Sequence, residues 1–259
     1  MEQESSIIEN KANTTTEEVV KADHLKKAFD GHEVLKGISF SLHRKENMVV
    51  LGKSGSGKSV LIKSLVGLII PDDGSLQVLG KELIGIDKED MTALRRKVGY
   101  LFQGGALYDS MTVKENMEFP LQRQVEKIPQ AEIDELVEEA LENVGLVEAL
   151  HKMPAELSGG MQKRIALART LILKPEIMLY DEPTTGLDPV TSREISELIL
   201  EMREKFDISS IIITHDMSCA KTTGDRVCII HEGNFVEKGT YDELENSDNT
   251  WVRSFFKGN

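Results

Sequence analysis

The sequence predicts an α/β fold built on a mostly parallel, doubly wound sheet. Three observations point to it. Short apolar runs of strand length alternate with longer stretches of helical periodicity. Several of the runs, such as Met48–Leu51, Ile177–Tyr180 and Ile208–Thr214, end on glycine, acids or histidine, where open α/β sheets bind ligands. The 259 residues, 40% hydrophobic and 29% charged, suit one large domain with room for an inserted subdomain.

Glu18–Leu25 and Val34–Leu42 read as strands around the turn Asp30-Gly31. Met48–Leu51 is a buried strand, followed by a helix over Lys58–Ile69 and a turn at Pro71-Asp72-Asp73-Gly74. Val98–Phe102 is a further strand. In Ala131–Val144, Ile133, Leu136, Val137, Ala140, Leu141 and Val144 form one apolar stripe opposite an acidic, solvated face. A helix over Gly159–Leu173 is capped by Ser158 and stopped by Pro175. Ile177–Tyr180 and Ile208–Thr214 are core strands with a helix between them over Val190–Lys205. Trp251, Phe255 and Phe256, at roughly helical spacing, are expected to pack on the core, and Arg95-Arg96-Lys97 to be a solvated helix end.

Charge and composition remove several classes of function. With 31 basic against 44 acidic side chains the net charge is -13, which repels phosphate polymers and argues against a nucleic-acid partner. Cys219 and Cys228 lie in apolar surroundings without metal-ligand spacing and read as buried, reduced thiols. The apolar stretch Val60–Ile70 is far too short to span a membrane. Residues 1–16 form a polar, acidic tail that lacks signal-peptide features and is expected to be disordered.

Gly52-Lys53-Ser54-Gly55-Ser56-Gly57-Lys58-Ser59 fits G-x-x-x-x-G-K-[ST] between a strand and a helix. Glycines let backbone N–H groups turn inward around phosphate oxygens. Lys58 can reach the β- and γ-phosphates, and the Ser59 hydroxyl can ligate Mg²⁺. Asp181 and Glu182 end an apolar strand; the first would hold Mg²⁺ and the second polarise a water. His215, at the end of a third core strand, could hydrogen-bond the phosphate and orient that water.

Leu157-Ser158-Gly159-Gly160-Met161-Gln162 resembles the signature sequence of ABC-type ATPases, and the order and spacing of the other motifs match that family. The resemblance runs from about Glu18 to Glu245. It implies a P-loop NTPase core with an antiparallel β subdomain and an inserted helical subdomain. Residues 17–103 and 165–259 would form the core and about 104–164 the insert. It implies ATP and Mg²⁺ as cofactors. Gln103 resembles the Q-loop glutamine that contacts Mg²⁺, and Gly186-Leu187-Asp188 the D-loop. Phe29 stands where an aromatic stacks on adenine, and Val60 falls in the nucleotide-binding segment. The signature is usually LSGGQ; here Met161 takes the glutamine position.

A narrower resemblance links Gln103–Val113, Glu118-Phe119-Pro120-Leu121 and Met161 to the ATPases of MCE/Mla-type phospholipid transporters. The broader family resemblance implies that two copies pair head to tail. The catalytic set would be Lys58, Gln103, Glu182 and His215, with Ser158, Gly159, Gly160 and Asp188 of the mate closing on the γ-phosphate in trans. Transmembrane permease subunits would dock near 104–120, with Tyr108, Phe119 and Leu121 either lining that groove or packing in the core. Lipid-binding and small regulatory subunits, and a peripheral location on the cytoplasmic side of the inner membrane, complete the expectation. The alternatives are an ABC ATPase of the cluster-assembly type, without a membrane partner, and an ABC importer or exporter subunit for a different substrate.

Overall fold

The structure, a computed structural model, describes residues 17–124 and 127–257, so the expected disordered tail at 1–16 lies outside the described residues. The chain opens with β1 (Glu18–Phe29) and β2 (His32–His43). Their connection, Asp30-Gly31, has positive φ at both residues, the twist that a two-residue hairpin requires. β3 (Asn47–Leu51) leads through the glycine loop to α1 (Lys58–Ser64). Next come β4 (Asp73–Val78), β5 (Lys81–Glu82), α2 (Lys88–Lys97) and β6 (Val98–Leu101). Three helices then follow, α3 (Val113–Gln122), α4 (Gln130–Glu142) and α5 (Gly159–Leu171). The remainder alternates β7 (Ile177–Asp181), α6 (Pro189–Phe206), β8 (Ser209–Thr214), α7 (Met217–Thr223), β9 (Arg226–His231) and β10 (Asn234–Gly239), then closes with α8 (Tyr241–Glu245) and α9 (Thr250–Lys257).

Two sheets result. A mixed sheet runs β10-β9-β3-β8-β7-β6, parallel throughout except for β10 on β9. An antiparallel sheet runs β2-β1-β4-β5. Because successive strand residues face opposite sides, the central strands divide their side chains between two cores. Leu51, Tyr180, Ile212 and Ile229 pack with α3 to α7, while Val50, Leu179, Ile213 and Cys228 pack with α1, α2 and the antiparallel sheet. Strands buried on both faces read as continuous apolar runs, which is why β3, β7 and β8 are legible in the sequence. All the parallel strands point their carboxyl ends the same way, and Gly52, Glu182 and His215 follow three adjacent ones.

The structure corrects several expectations. α1 stops at Ser64 rather than Ile69, because Gly67 takes φ 63 and the N–H of Leu68 donates to Lys63 O at 3.0 Å, a glycine-terminated helix end. β1 and β2 are each longer than read. Arg95 is not merely solvated: its Nε donates to Val66 O at 2.9 Å, satisfying a carbonyl past the end of α1. The stripe of α4 is as read, with Ile133, Val137, Ala140 and Leu141 inward and its acids exposed. Trp251, Phe255 and Phe256 pack against the core as expected. Cys219 and Cys228 are free and buried, and burial pushes both thiols up to about 11.

Candidate functional site

The loop after β3 is threaded between the ends of β8 and β9. The Gly52 N–H donates to Thr214 O at 3.3 Å. A Cβ on Gly52 would stand 2.6 Å from Ile230 O, so only glycine lets the loop pass. Gly57 is held at φ 106, a left-handed conformation, with Val34 O 3.0 Å from where its Cβ would be. These two constraints set the entry to α1 and hence the position of Lys58, its first residue. Lys53, Ser54, Gly55 and Ser59 remain exposed along the loop.

Lys58 is 5% exposed. Its Nζ donates to Gly52 O at 2.7 Å and to Lys53 O at 3.2 Å, and lies 3.3 Å from Glu182 Oε1. The second Glu182 oxygen, Oε2, lies 2.8 Å from His215 Nδ1 and accepts from the His215 backbone N–H at 3.2 Å. One carboxylate thus bridges a buried ammonium and an exposed imidazole. The Nδ1 edge of the ring is thus turned to a carboxylate, which leaves Nε2 as its other hydrogen-bonding atom. Glu182 holds φ 50, a costly backbone for a non-glycine residue, fixed by its N–H to Ile213 O at 2.9 Å.

Asp181, at the end of β7, is 6% exposed. Its Oδ2 accepts from the Tyr100 hydroxyl at 2.9 Å, whereas Oδ1 is buried with no partner among the described residues. Burial, followed by the Asp181 charge, pushes the Tyr100 phenol upward, so it stays a donor. Lys163 donates to Gln103 O; burial lowers its pKa, opposed by the charges of Asp181 and Glu182. A buried carboxylate oxygen without a partner, an exposed Ser59 hydroxyl and an exposed Gln103 amide make an oxygen-only set. That set suits Mg²⁺ carried in with phosphate, which keeps most of its shell from water and substrate. No group of three or more His, Cys, Asp or Glu able to hold a metal occurs among the described residues.

An open cleft of about 590 Å³ is lined by Lys53, Ser54, Gly55, Gly57, Lys58, Ser59, Val60, Gln103, Glu182 and His215, whereas Gly52, Ser56 and Asp181 lie behind that lining rather than in it. Four of its lining residues were not expected there. Val34, Trp251, Ser254 and Phe255 bring β2 and α9 into the wall. Trp251 is held by stacking on His231, ring centroids 4.5 Å apart. Amphipathic spacing marked the α9 aromatics as packing residues, and nothing local marks them as facing a cleft. Phe29 stands at the tip of the β1–β2 hairpin, 44% exposed, outside the cleft lining and with Lys27 Nζ 5.2 Å from its ring centroid.

Ser158, Gly159, Gly160 and Asp188 are brought together, but not to this cleft. Ser158 caps α5, accepting from Met161 N at 3.3 Å. A Cβ on Gly160 would stand 2.6 Å from Thr191 Cγ2, and one on Gly159 3.5 Å from Leu187 Cδ2. Asp188 caps α6 through Val190 N and Thr191 N, at 3.0 and 3.1 Å, and the Thr191 hydroxyl and N–H lower its pKa. The two helix starts form one surface patch, with Ser158 and Gly159 exposed. Farther along, Leu121 is core, whereas Tyr108 is 44% exposed and stacks on Phe119 at 4.8 Å, with Arg169 and Arg123 over the two rings.

Comparison with known proteins agrees with this geometry. The family model described as "ABC transporter" matches residues 35–185. The probable ribonucleotide transport ATP-binding protein mkl of Mycobacterium leprae is 38% identical, over 92% of this chain and 69% of its own. The chloroplastic protein TRIGALACTOSYLDIACYLGLYCEROL 3 of Arabidopsis thaliana is 39% identical over 90% and 71%. The methionine import protein MetN of Rhizobium etli is 35% identical over 97% and 69%. The chain thus spans about two thirds of the length of these relatives. Among solved structures, cbiO1 of Clostridium perfringens, part of the complex cbiONQ, superposes with a TM-score of 0.81 at 29% identity, covering 92% of this chain and 94% of that one. A dimeric ATP-binding cassette, MJ0796, bound to ADP and Pi, superposes at 0.78 and 28% identity, covering 86% and 98%. By fold, by cleft and by sequence, the chain belongs to the ABC transporter family, as one of its ATP-binding, ATP-hydrolysing domains.

Proposed function

We propose that the chain is the motor of an ABC transporter, working as a head-to-tail homodimer beneath a transmembrane permease and driving phospholipid movement in an MCE/Mla-type complex. The observation that carries the motor reading is the bridge from Lys58 through Glu182 to His215, set beside a glycine loop that a Cβ would block. The buried ammonium is ready to leave two carbonyls for the β- and γ-phosphates. Glu182 then faces the γ-phosphate as the base that takes a proton from water, and Nε2 of His215 holds that water or a phosphate oxygen. Ser59, Asp181 and Gln103 would hold Mg²⁺, which would offset the negative charge of the phosphates. The Ser158–Gly160 patch is not part of the cleft lining, which supports its meeting ATP on another copy. Phe29, exposed at its hairpin tip, is free to stack on adenine.

The lipid cargo is supported by the Gln103–Val113 loop, by Met161, and by the Arabidopsis relative, whose name is that of a glycolipid. The mycobacterial and rhizobial names, which specify ribonucleotide and methionine, mark the competing cargoes. No helix among the described residues is long and apolar enough to cross a membrane, so membrane work needs a permease. The exposed Tyr108 and its stacked Phe119 in the 104–120 segment offer the docking face. Small regulatory and lipid-binding subunits belong to the same proposal, as does a place on the cytoplasmic side of the inner membrane. Pull-down from detergent-solubilised membranes is expected to bring down a permease and phospholipid. Tyr108→Asp is expected to lose the permease while keeping nucleotide affinity. Retention of the complex by that variant overturns the docking face, and recovery of the chain without any membrane protein favours the cluster-assembly alternative.

A further inference from the structure

We propose that Tyr100 is a positioning residue that decides which oxygen of Asp181 faces the nucleotide's metal ion. The inference rests on the Mg²⁺-ATP reading above and concerns a residue that motif matching does not single out. A carboxylate at a strand end has two equivalent oxygens and a freely turning χ2, so the strand alone does not choose between them. Here the choice is made by a neighbouring strand. Tyr100 of β6 sits in register with Leu179 of β7, and its hydroxyl reaches Asp181 Oδ2 at 2.9 Å. Oδ1 is left buried and without a partner among the described residues, which is costly unless a ligand completes it.

The tyrosine is itself fixed. Its ring lies against that of Phe102, centroids 4.3 Å apart. Three residues after Tyr100 comes Gln103, which lines the cleft and whose carbonyl is held by the buried Lys163. One strand end therefore carries both the group that turns Asp181 and a residue that would touch the same ion. Partners behind a metal ligand generally matter about 10- to 100-fold in metal affinity. A hydroxyl that only filled space would be replaceable by hydrogen.

The test is Tyr100→Phe, which keeps the ring and its stacking and removes one hydroxyl. Binding of a non-hydrolysable ATP analogue is followed through the emission of Trp251, the chain's one tryptophan, which lines the cleft. In EDTA the variant is expected to bind the analogue as the parent does. Titrated with Mg²⁺, it is expected to need about 10- to 100-fold more metal for half-saturation. An unchanged Mg²⁺ midpoint overturns the inference. Equal weakening with and without the metal overturns it too, since that is what a packing role produces. If the parent itself shows no Mg²⁺-dependent binding, the functional reading falls and this one with it.

Discussion

Lys58→Ala is expected to abolish measurable nucleotide binding and turnover while leaving the chain folded. The ammonium is buried among two carbonyl oxygens and one Glu182 oxygen, so its charge is poorly screened and available to a phosphate. Removing one partner of a desolvated charged contact typically costs about 2–5 kcal/mol, or roughly 30- to 5,000-fold in affinity. Part of the loss arises elsewhere, because Glu182 would face an incoming triphosphate with no cation between them. Glu182 keeps its contact with His215 Nδ1 at 2.8 Å, so the fold is expected to survive. Equilibrium dialysis with radiolabelled ATP checks the first part and a thermal melt the second. Near-parental affinity in a folded variant would remove Lys58 from the phosphate site.

Glu182→Gln is expected to bind ATP at least as well as the parent and to turn it over some 10²- to 10⁴-fold more slowly, the range for loss of a general base. The amide keeps the size and one acceptor of the carboxylate but cannot take up the proton of an attacking water. It also removes a negative charge 3.3 Å from Lys58, which favours a bound triphosphate. The variant should therefore accumulate as an ATP-loaded dimer, visible as a doubled mass by sedimentation and reversed on dilution into ADP. Turnover at the parental rate would assign the base to another group.

The phosphate loop and the strand ends were legible because their signal is local. Gly52 to Ser59 are consecutive, and β3, β7 and β8 are fully buried strands whose composition announces them. What escaped the sequence depends on partners far along the chain. Tyr100 meets Asp181 across 81 positions, and Lys163 reaches Gln103 across 60. α9 joins the cleft wall from the far end of the chain. β10 was missed because only one face of this edge strand is covered, and its run Asn234–Gly239 mixes polar with apolar residues. The end of α1 was missed because Val66, Leu68, Ile69 and Ile70 continue an apolar pattern through Gly67, and only its positive φ breaks the helix.

The claim on which the mechanism turns is that the lysine loop of one copy and the serine turn of another make a single ATP site. Mixing two inactive variants, Lys58→Ala and Ser158→Arg, tests it directly. In a two-fold dimer each mixed pair contains one site with neither lesion, so an equimolar mixture is expected to regain up to about a quarter of the parental ATPase rate. A mixture no more active than the two variants alone would contradict the account.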